Sequence, residues 1–436
     1  MQTLKLSDLV ALGFMTFALF LGAGNIIFPP LVGLLAGDDM GWAAVGFLMT
    51  GVGLPLLTIV ALARVGGGID ALTAPVGRVA GTLFGLLVYL AIGPFFASPR
   101  TATVSYEIGF SRFFESHDWA LLAYSVVYFG VVMLIALNPT RLIDNVGKLI
   151  TPVLLLALLM LGGAAVLWPA GEVTEGSALY NDAPLTQGFL QGYQTMDALG
   201  ALVFGLVIVN AIRARNVVDR RLQTYYAIWA AVIAAIGLAT VYLSLIYLGA
   251  SSGNLDPTAQ TGVPLLAGFT QHRFGIAGSV LLAVVIVLAC LTTAIGLMSA
   301  CGEYMSALFK VSYRKVVVVF CLGSMVVANL GLAQLIKFSI PVLVAMYPVA
   351  ITLVLLSLMS SFWKSPSRVF IPAMAVATLF GVVDGLRVAG LEAWVPQWVL
   401  GLPWASLGLG WLLPVLVATA VGATFDRILP RPAASL

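Results

Sequence analysis

Long apolar runs separated by short polar segments repeat along the whole chain. Each run is close to the roughly 20 residues that a helix needs to cross a bilayer, and none shows the short alternating segments of a membrane β-barrel. The pattern therefore predicts an all-α polytopic membrane protein with twelve spans, numbered in chain order, at residues 9–36, 40–63, 76–107, 119–138, 148–169, 185–212, 221–249, 275–308, 315–333, 338–362, 369–388 and 399–424.

The composition agrees with this pattern. Hydrophobic residues make up 61% of the 436 positions and charged residues only 9%, whereas a soluble domain carries about 25% charged residues. The first run is too long for the apolar region of a signal peptide, so we interpret it as span 1. Because no loop is long enough for a separate soluble domain, residues 1–436 are expected to form a single transmembrane domain, with a short outer helix in the loop around 250–274.

The basic residues are distributed unevenly between alternate loops. Of the 21 Lys and Arg residues, all but five lie at the termini and in one set of alternate loops, and those five are Arg100, Arg112, Arg273, Lys337 and Arg387. The positive-inside rule therefore predicts that both termini lie in the cytoplasm. Because the basic residues are spread over these loops, the net charge of +3 does not indicate a nucleic acid partner.

Span 1 is interrupted by the stretch "FLGAGNIIFPP", residues 20–30. Gly22 and Gly24 allow the backbone to leave helical geometry at low steric cost. A helix that restarts near Asn25 accepts the two prolines in its first turns, and the freed N–H groups of residues 23–25 would form a helix N-terminus suited to a carboxylate. The alternative interpretation is a plain proline kink with close packing of small residues.

Span 6 carries the second interruption. Between Gly192 and Gly200, its sequence places polar residues beside an acidic one, in the stretch "GYQTMDALG". Asp197 precedes more than a dozen apolar positions, although it could also mark the start of the helix near the outer water layer. Spans 1 and 6 are the first spans of two five-span halves, and interrupted segments at corresponding positions of two halves indicate a transporter substrate site.

Other classes of protein find little support in the sequence. The glycines at 66–68 are not followed by the Lys-Ser/Thr of a Walker A motif. The chain has no nucleophile elbow, His-rich metal set or cofactor motif, so an enzyme is not expected. Without ATP-binding machinery, transport must be driven by a gradient or be passive.

Three stretches, "FALFLGAGNIIFPP", "GPFFASPRTATVSYEIGF" and "TTAIGLMSACGEY", resemble the bacterial branched-chain amino acid:cation symporters. The resemblance covers nearly the whole chain. It implies the leucine-transporter-like fold of the amino acid–polyamine–organocation superfamily, with discontinuous spans 1 and 6. The two inverted repeats would cover about 9–169 and 185–362, and two extra helices about 369–424.

The same resemblance implies a function. It predicts import of leucine, isoleucine and valine across the bacterial cytoplasmic (inner) membrane, coupled to sodium, with protons as the coupling ion in some members. No organic cofactor is implied. Two alternatives stay open at this point: a proton-coupled carrier in which Asp197 or Glu107 titrates, and a passive channel.

The resemblance also assigns residues to two sites. The span 1 break would hold the substrate carboxylate and the span 6 break would face the ammonium group, which gives Gly22, Ala23, Gly24, Asn25, Gln194, Thr195, Met196, Asp197 and Ala198. Sodium would bind between spans 1 and 8, at Ala18, Leu21, Ala289, Thr292 and Thr293. Oxygen ligands suit a hard cation such as sodium, although the two threonines could equally bond to their own helix backbone.

Span 3 supplies the remaining candidates. We expect Phe95 and Phe96, with Ile295 of span 8, to line the pocket for the aliphatic side chain. Arg100 and Glu107 are seven positions apart, so both can face the same side of the helix. They are interpreted as an ion pair or as a gate on the substrate path.

Overall fold

The protein is described by a computed structural model that covers residues 4–111, 119–137 and 151–430. Helices occupy all twelve predicted positions: Leu6–Phe20 with Ala23–Ala36 (span 1), Met40–Val65 (span 2), Arg78–Gly109 (span 3), Ala120–Ala136 (span 4), Thr151–Leu167 (span 5), Pro184–Tyr193 with Asp197–Arg213 (span 6), Arg220–Ala250 (span 7), Gly262–Phe309 (outer helix and span 8), Tyr313–Ala328 (span 9), Leu332–Leu358 (span 10), Ser367–Val388 (span 11) and Leu412–Ile428 (span 12).

The lengths of these helices bear on the number of spans. Within the described ranges, six helices are long and apolar enough to cross a bilayer, and the two bent pairs of spans 1 and 6 raise that number to eight. The helices of spans 4, 5, 9 and 12 have only 16 or 17 residues. The all-α prediction is confirmed, and the count of twelve stays a prediction. The predicted end of span 4 and start of span 5, with Arg112, lie outside the described residues.

A short outer helix precedes span 8, as the sequence predicted. The helix that begins at Gly262 changes direction at Gly275, whose backbone has φ 61° and ψ −153°. This positive φ is accessible to glycine at little cost and strained for other residues. Gly275 therefore separates the outer helix from span 8.

Spans 2 and 3 each contain a π-helical segment, Met49–Gly53 and Ala91–Phe95. In span 3, Gly93 leaves helical geometry (ψ −107°), and Pro94 lacks the N–H that a regular helix would use. Such π segments are frequent at functional sites because they change the facing of the residues that follow. The segment of span 3 directly precedes a stretch, residues 98–105, in which every side chain is buried.

Spans 1 and 7 cross in close contact through glycines. A methyl group at Gly33 would overlap the carbonyl oxygen of Ile246, and one at Gly249 would overlap that of Pro30. Small residues that let two backbones approach are the usual basis of helix packing in membranes. This crossing fixes the second half of span 1 against span 7.

Replacing Gly33 with Ala is expected to destabilise the protein by about 1–3 kcal/mol, because the two helices must move apart to make room for one carbon atom. Thermal unfolding of the purified protein in detergent would measure this as a lower Tm. Gly130 of span 4 is the matched control, since a methyl group there meets no atom from elsewhere in the described part of the chain within 4 Å. Equal Tm values for the Gly33→Ala and Gly130→Ala proteins would contradict the packing described here.

Candidate functional site

The interruptions of spans 1 and 6 meet each other inside the protein. Span 1 bends by 72° between Phe20 and Ala23, and span 6 bends by 44° between Tyr193 and Asp197. A methyl group at Gly24 would lie 3.1 Å from the backbone of Thr195. Gly24 is therefore the point at which the two breaks pack together, and a side chain there would force them apart.

The break in span 6 lies between Gly192 and Gly200, within the predicted stretch. Residues 194–196 leave the helix, and Met196 has a φ of 64°, which is uncommon for a residue with a side chain. Gly192 instead packs against span 2, where a methyl group would overlap the hydroxyl oxygen of Thr50. Gly200 lies in the second half of the span and lines the central cavity.

The second half of span 1 begins at Ala23, two residues before the predicted position. The N–H of Gly22 donates a hydrogen bond of 3.1 Å to Oδ1 of Asn25, which caps the helix. The amides of Ala23 and Gly24 lie in its first turn and have no partner within the helix. The positive end of this helix therefore faces the cavity, whose wall includes both residues.

Asp197 begins the second half of span 6 and is buried, with 3% of its surface exposed. Its Oδ2 accepts hydrogen bonds of 2.6 Å from Nδ2 of Asn25 and of 2.6 Å from the hydroxyl of Tyr242 in span 7. Asn25 and Tyr242 also contact each other. This carboxylate joins spans 1, 6 and 7, so the alternative of an acid at the outer water layer is wrong.

A small cavity lies between these elements and spans 3 and 8. Seven of the residues predicted to bind substrate contribute to its wall. They are Gly22, Ala23, Gly24, Asn25, Thr195, Met196 and Asp197. The two breaks therefore line one cavity, and its role as the substrate site stays a prediction.

The structure places the other predicted substrate residues away from this wall. Phe95 is 47% exposed, and Phe96 is half-buried. The π-helical segment that ends at Phe95 changes the register of span 3, so that Ile92, Ala97 and Thr101 line the cavity instead. Ala198 and Ile295 are buried but are not part of the cavity wall. Gln194 is not part of the wall either, and its backbone carbonyl accepts a hydrogen bond from Arg100.

Arg100 lines the cavity and is 2% exposed. Its two terminal nitrogens donate hydrogen bonds of 2.7 Å each, to the carbonyl of Gln194 and to the hydroxyl of Ser339 in span 10. The expected ion pair with Glu107 does not form, because seven residues of helix separate the two by about 10 Å. Glu107 is half-buried and is not part of the cavity wall.

The predicted cation ligands lie where spans 1 and 8 touch. The hydroxyl of Thr293 is 3.2 Å from the carbonyl oxygen of Leu21 and 3.4 Å from that of Ala18. Both carbonyls lack their helical partners because the chain leaves the helix after Phe20. Thr292, in contrast, donates a hydrogen bond of 2.9 Å to the carbonyl of Ala289 within its own helix.

The ligands available in the described part of the chain limit which ion could bind. No group of three or more His, Cys, Asp and Glu residues is close enough there to hold a metal ion. The oxygens around Thr293 are neutral hydroxyl and carbonyl groups, which suit a hard cation of low charge. Such a cation would join the break of span 1 to span 8.

The side chains that hydrogen-bond to Asp197 and Arg100 from spans 7 and 10, Tyr242 and Ser339, were also not predicted from the sequence. Tyr242 lies in a long apolar span with other aromatic residues, and Ser339 is one of several serines in span 10. Neither stands in a motif. A search for polar side chains in the middle of apolar spans would include both, but would not distinguish them from residues that bond to their own helix.

Known proteins resemble this chain along its full length. A family model described as "Branched-chain amino acid transport protein" matches residues 5–429. The branched-chain amino acid transport system 2 carrier protein of Pseudomonas aeruginosa is 60% identical over 432 residues, which cover 99% of each chain. The branched-chain amino acid permease BrnQ of Salmonella typhimurium is 49% identical over 432 residues, 99% of this chain and 98% of its own.

Solved structures share the fold at low sequence identity. The nucleobase-cation-symport-1 family transporter Mhp1, closed with bromovinylhydantoin bound, aligns with a TM-score of 0.59 at 14% identity and covers 97% of this chain and 94% of its own. MhsT in complex with L-phenylalanine aligns with a TM-score of 0.53 at 15% identity, covering 96% and 98%. These structures support the leucine-transporter-like fold, and the relatives show that the chain belongs to the branched-chain amino acid transport protein family.

Proposed function

We propose that the chain is a secondary active symporter that imports leucine, isoleucine and valine together with sodium by alternating access. The observation that carries this proposal is the cavity at which two broken spans meet. It brings a helix N-terminus and the buried carboxylate of Asp197 together in one site. An amino acid zwitterion matches these two charges, and the named relatives are carriers and permeases for branched-chain amino acids.

The substrate would lie between the charged groups and an apolar part of the wall. Its carboxylate would accept hydrogen bonds from the amides of Ala23 and Gly24, which are directed by the helix dipole. Its ammonium group would bind the carboxylate of Asp197. The aliphatic side chain would contact the remaining wall, which includes Leu19, Ile92, Phe204 and Leu297.

Sodium would bind at Thr293 and the two carbonyls of span 1. Because these carbonyls belong to the break itself, a cation there would stabilise the arrangement that exposes the amides of Ala23 and Gly24. Binding of the ion and of the substrate would thus favour the same conformation, which is the thermodynamic basis of coupling. One charge moving across 100 mV supplies about 2.3 kcal/mol, enough for about 50-fold accumulation.

The orientation is part of the same proposal. With both termini in the cytoplasm, the basic loops face the inside of a bacterial inner membrane, in agreement with the positive-inside rule. Sodium would then move inward down its electrical gradient, and the substrate would be carried inward with it.

Labelled leucine uptake into proteoliposomes tests the coupling ion. We expect an inward sodium gradient to drive accumulation of at least tenfold, with lithium or a pH gradient alone giving much less. The competing candidate is proton coupling, which the buried carboxylate of Asp197 favours. Uptake driven by a pH gradient in the absence of sodium would support that candidate, and exchange of labelled for unlabelled leucine would distinguish either carrier from a channel.

A further inference from the structure

Arg100 places a second charge in the wall of the cavity. It comes from span 3, whereas the helix N-terminus and Asp197 come from spans 1 and 6. The hydrogen-bond partners of its terminal nitrogens, the carbonyl of Gln194 and the hydroxyl of Ser339, are both neutral. Its guanidinium also lies over the ring of Phe28, 5.3 Å from the centre.

The positive charge of Arg100 is not matched by an acidic side chain in the described part of the chain. Asp197 lines the same cavity, but its hydrogen bonds come from Asn25 and Tyr242 rather than from Arg100. The cavity therefore holds one buried cation and one buried anion that are not paired with each other. A buried charge is costly unless another charge compensates it, so this arrangement is suited to a ligand that carries both charges.

The guanidinium has donors to spare. Arginine has five N–H groups, and the hydrogen bonds described above use two of the nitrogens. Nε is buried and has no partner among the described residues. Guanidinium groups bind carboxylates with more than one N–H at once, which makes them specific for that group.

We propose that Arg100 recognises the α-carboxylate of the substrate, together with the amides of Ala23 and Gly24. The proposal rests on the function proposed above, because it takes the substrate to be an amino acid. Arg100 would provide a positive charge for the carboxylate, and the amides would orient the carboxylate by hydrogen bonds. Its bond to the carbonyl of Gln194 would also hold the break of span 6 in place beside the substrate.

Ligands that lack one of the two charges separate recognition from structural support. Leucinamide keeps the ammonium group and side chain of leucine but has no carboxylate, whereas 4-methylpentanoate keeps the carboxylate and has no ammonium group. Each is measured as an inhibitor of labelled leucine exchange, at pH 6, where the amine of leucinamide is cationic. The proteins compared are the wild type, R100Q and R100K.

In R100Q, we expect the inhibition constants of leucine and 4-methylpentanoate to rise about tenfold or more, the usual effect of losing a hydrogen bond to a charged group. The inhibition constant of leucinamide should change less than about threefold. For R100K, the constants of leucine and 4-methylpentanoate should lie between those of the wild type and R100Q. R387Q is the control, since Arg387 is bonded to Asp384 and Ala405 at span 11, away from the cavity.

A purely structural role predicts a different result. If R100Q or R100K raises the inhibition constants of leucine and leucinamide by the same factor, Arg100 supports the structure of the site but does not recognise the carboxylate. That result overturns the proposal. Where R100Q does not fold, the ratio of the two constants in R100K decides in the same way. A wild-type protein that does not exchange leucine at all would instead overturn the proposed function.

Discussion

Asp197→Asn is expected to abolish leucine binding, and with it both exchange and uphill uptake. The substitution keeps the size of the side chain and a hydrogen-bonding oxygen for Asn25 and Tyr242, but removes the negative charge that would hold the ammonium group. Losing one partner of a buried charge pair costs about 2–5 kcal/mol, which corresponds to at least a 30-fold weaker Kd. A binding titration of the purified protein with leucine would measure this loss.

The same variant distinguishes the two roles considered for the carboxylate. If Asp197 carried the coupling proton, the amide would imitate its protonated form, and leucine would still bind and exchange while accumulation was lost. Retained exchange without accumulation would therefore contradict the ammonium-binding role. Asp384→Asn is a matched control, because Asp384 is another buried acid, at span 11, outside the site.

The parts of this site that could be predicted are those with a local signal in the sequence. Glycines inside an apolar run located the break of span 1 at residues 21–22, within the predicted stretch. Asp197 was predicted as a functional residue because a charge at membrane depth is costly. The involvement of Thr293 came from family resemblance, since paired threonines alone are as consistent with bonds to their own helix, which is what Thr292 makes.

The parts that could not be predicted depend on contacts between distant residues. Tyr242 and Ser339 are separated from their partners Asn25 and Arg100 by more than 200 positions, and no local pattern marks such a pair. The prediction for Phe95 failed to place it at the cavity for another reason. The π-helical segment of span 3, which was not predicted, changes which side chains face inward.

Thr293→Ala should raise the sodium concentration needed for half-maximal leucine uptake by about tenfold or more. Its hydroxyl lies within 3.4 Å of the two carbonyls of span 1 that lack helical partners, so its removal takes one oxygen from the proposed ion site. The loss of one ligand to a charged group costs about 1.5–3 kcal/mol. Leucine uptake at saturating sodium should change much less, because Asp197 and the amides of Ala23 and Gly24 are untouched.

Two further variants test whether the hydroxyl itself is responsible. Thr293→Ser keeps the oxygen and should restore sodium dependence close to that of the wild type. Thr292→Ala should raise the sodium concentration for half-maximal uptake less than Thr293→Ala does, because the hydroxyl of Thr292 donates to the carbonyl of Ala289 in its own helix. The double variant Thr292→Ala with Thr293→Ala removes every side-chain oxygen of the proposed site. If its sodium dependence matched the wild type, the coupling ion would have to bind elsewhere, and the carboxylate of Asp197 would become the first place to search.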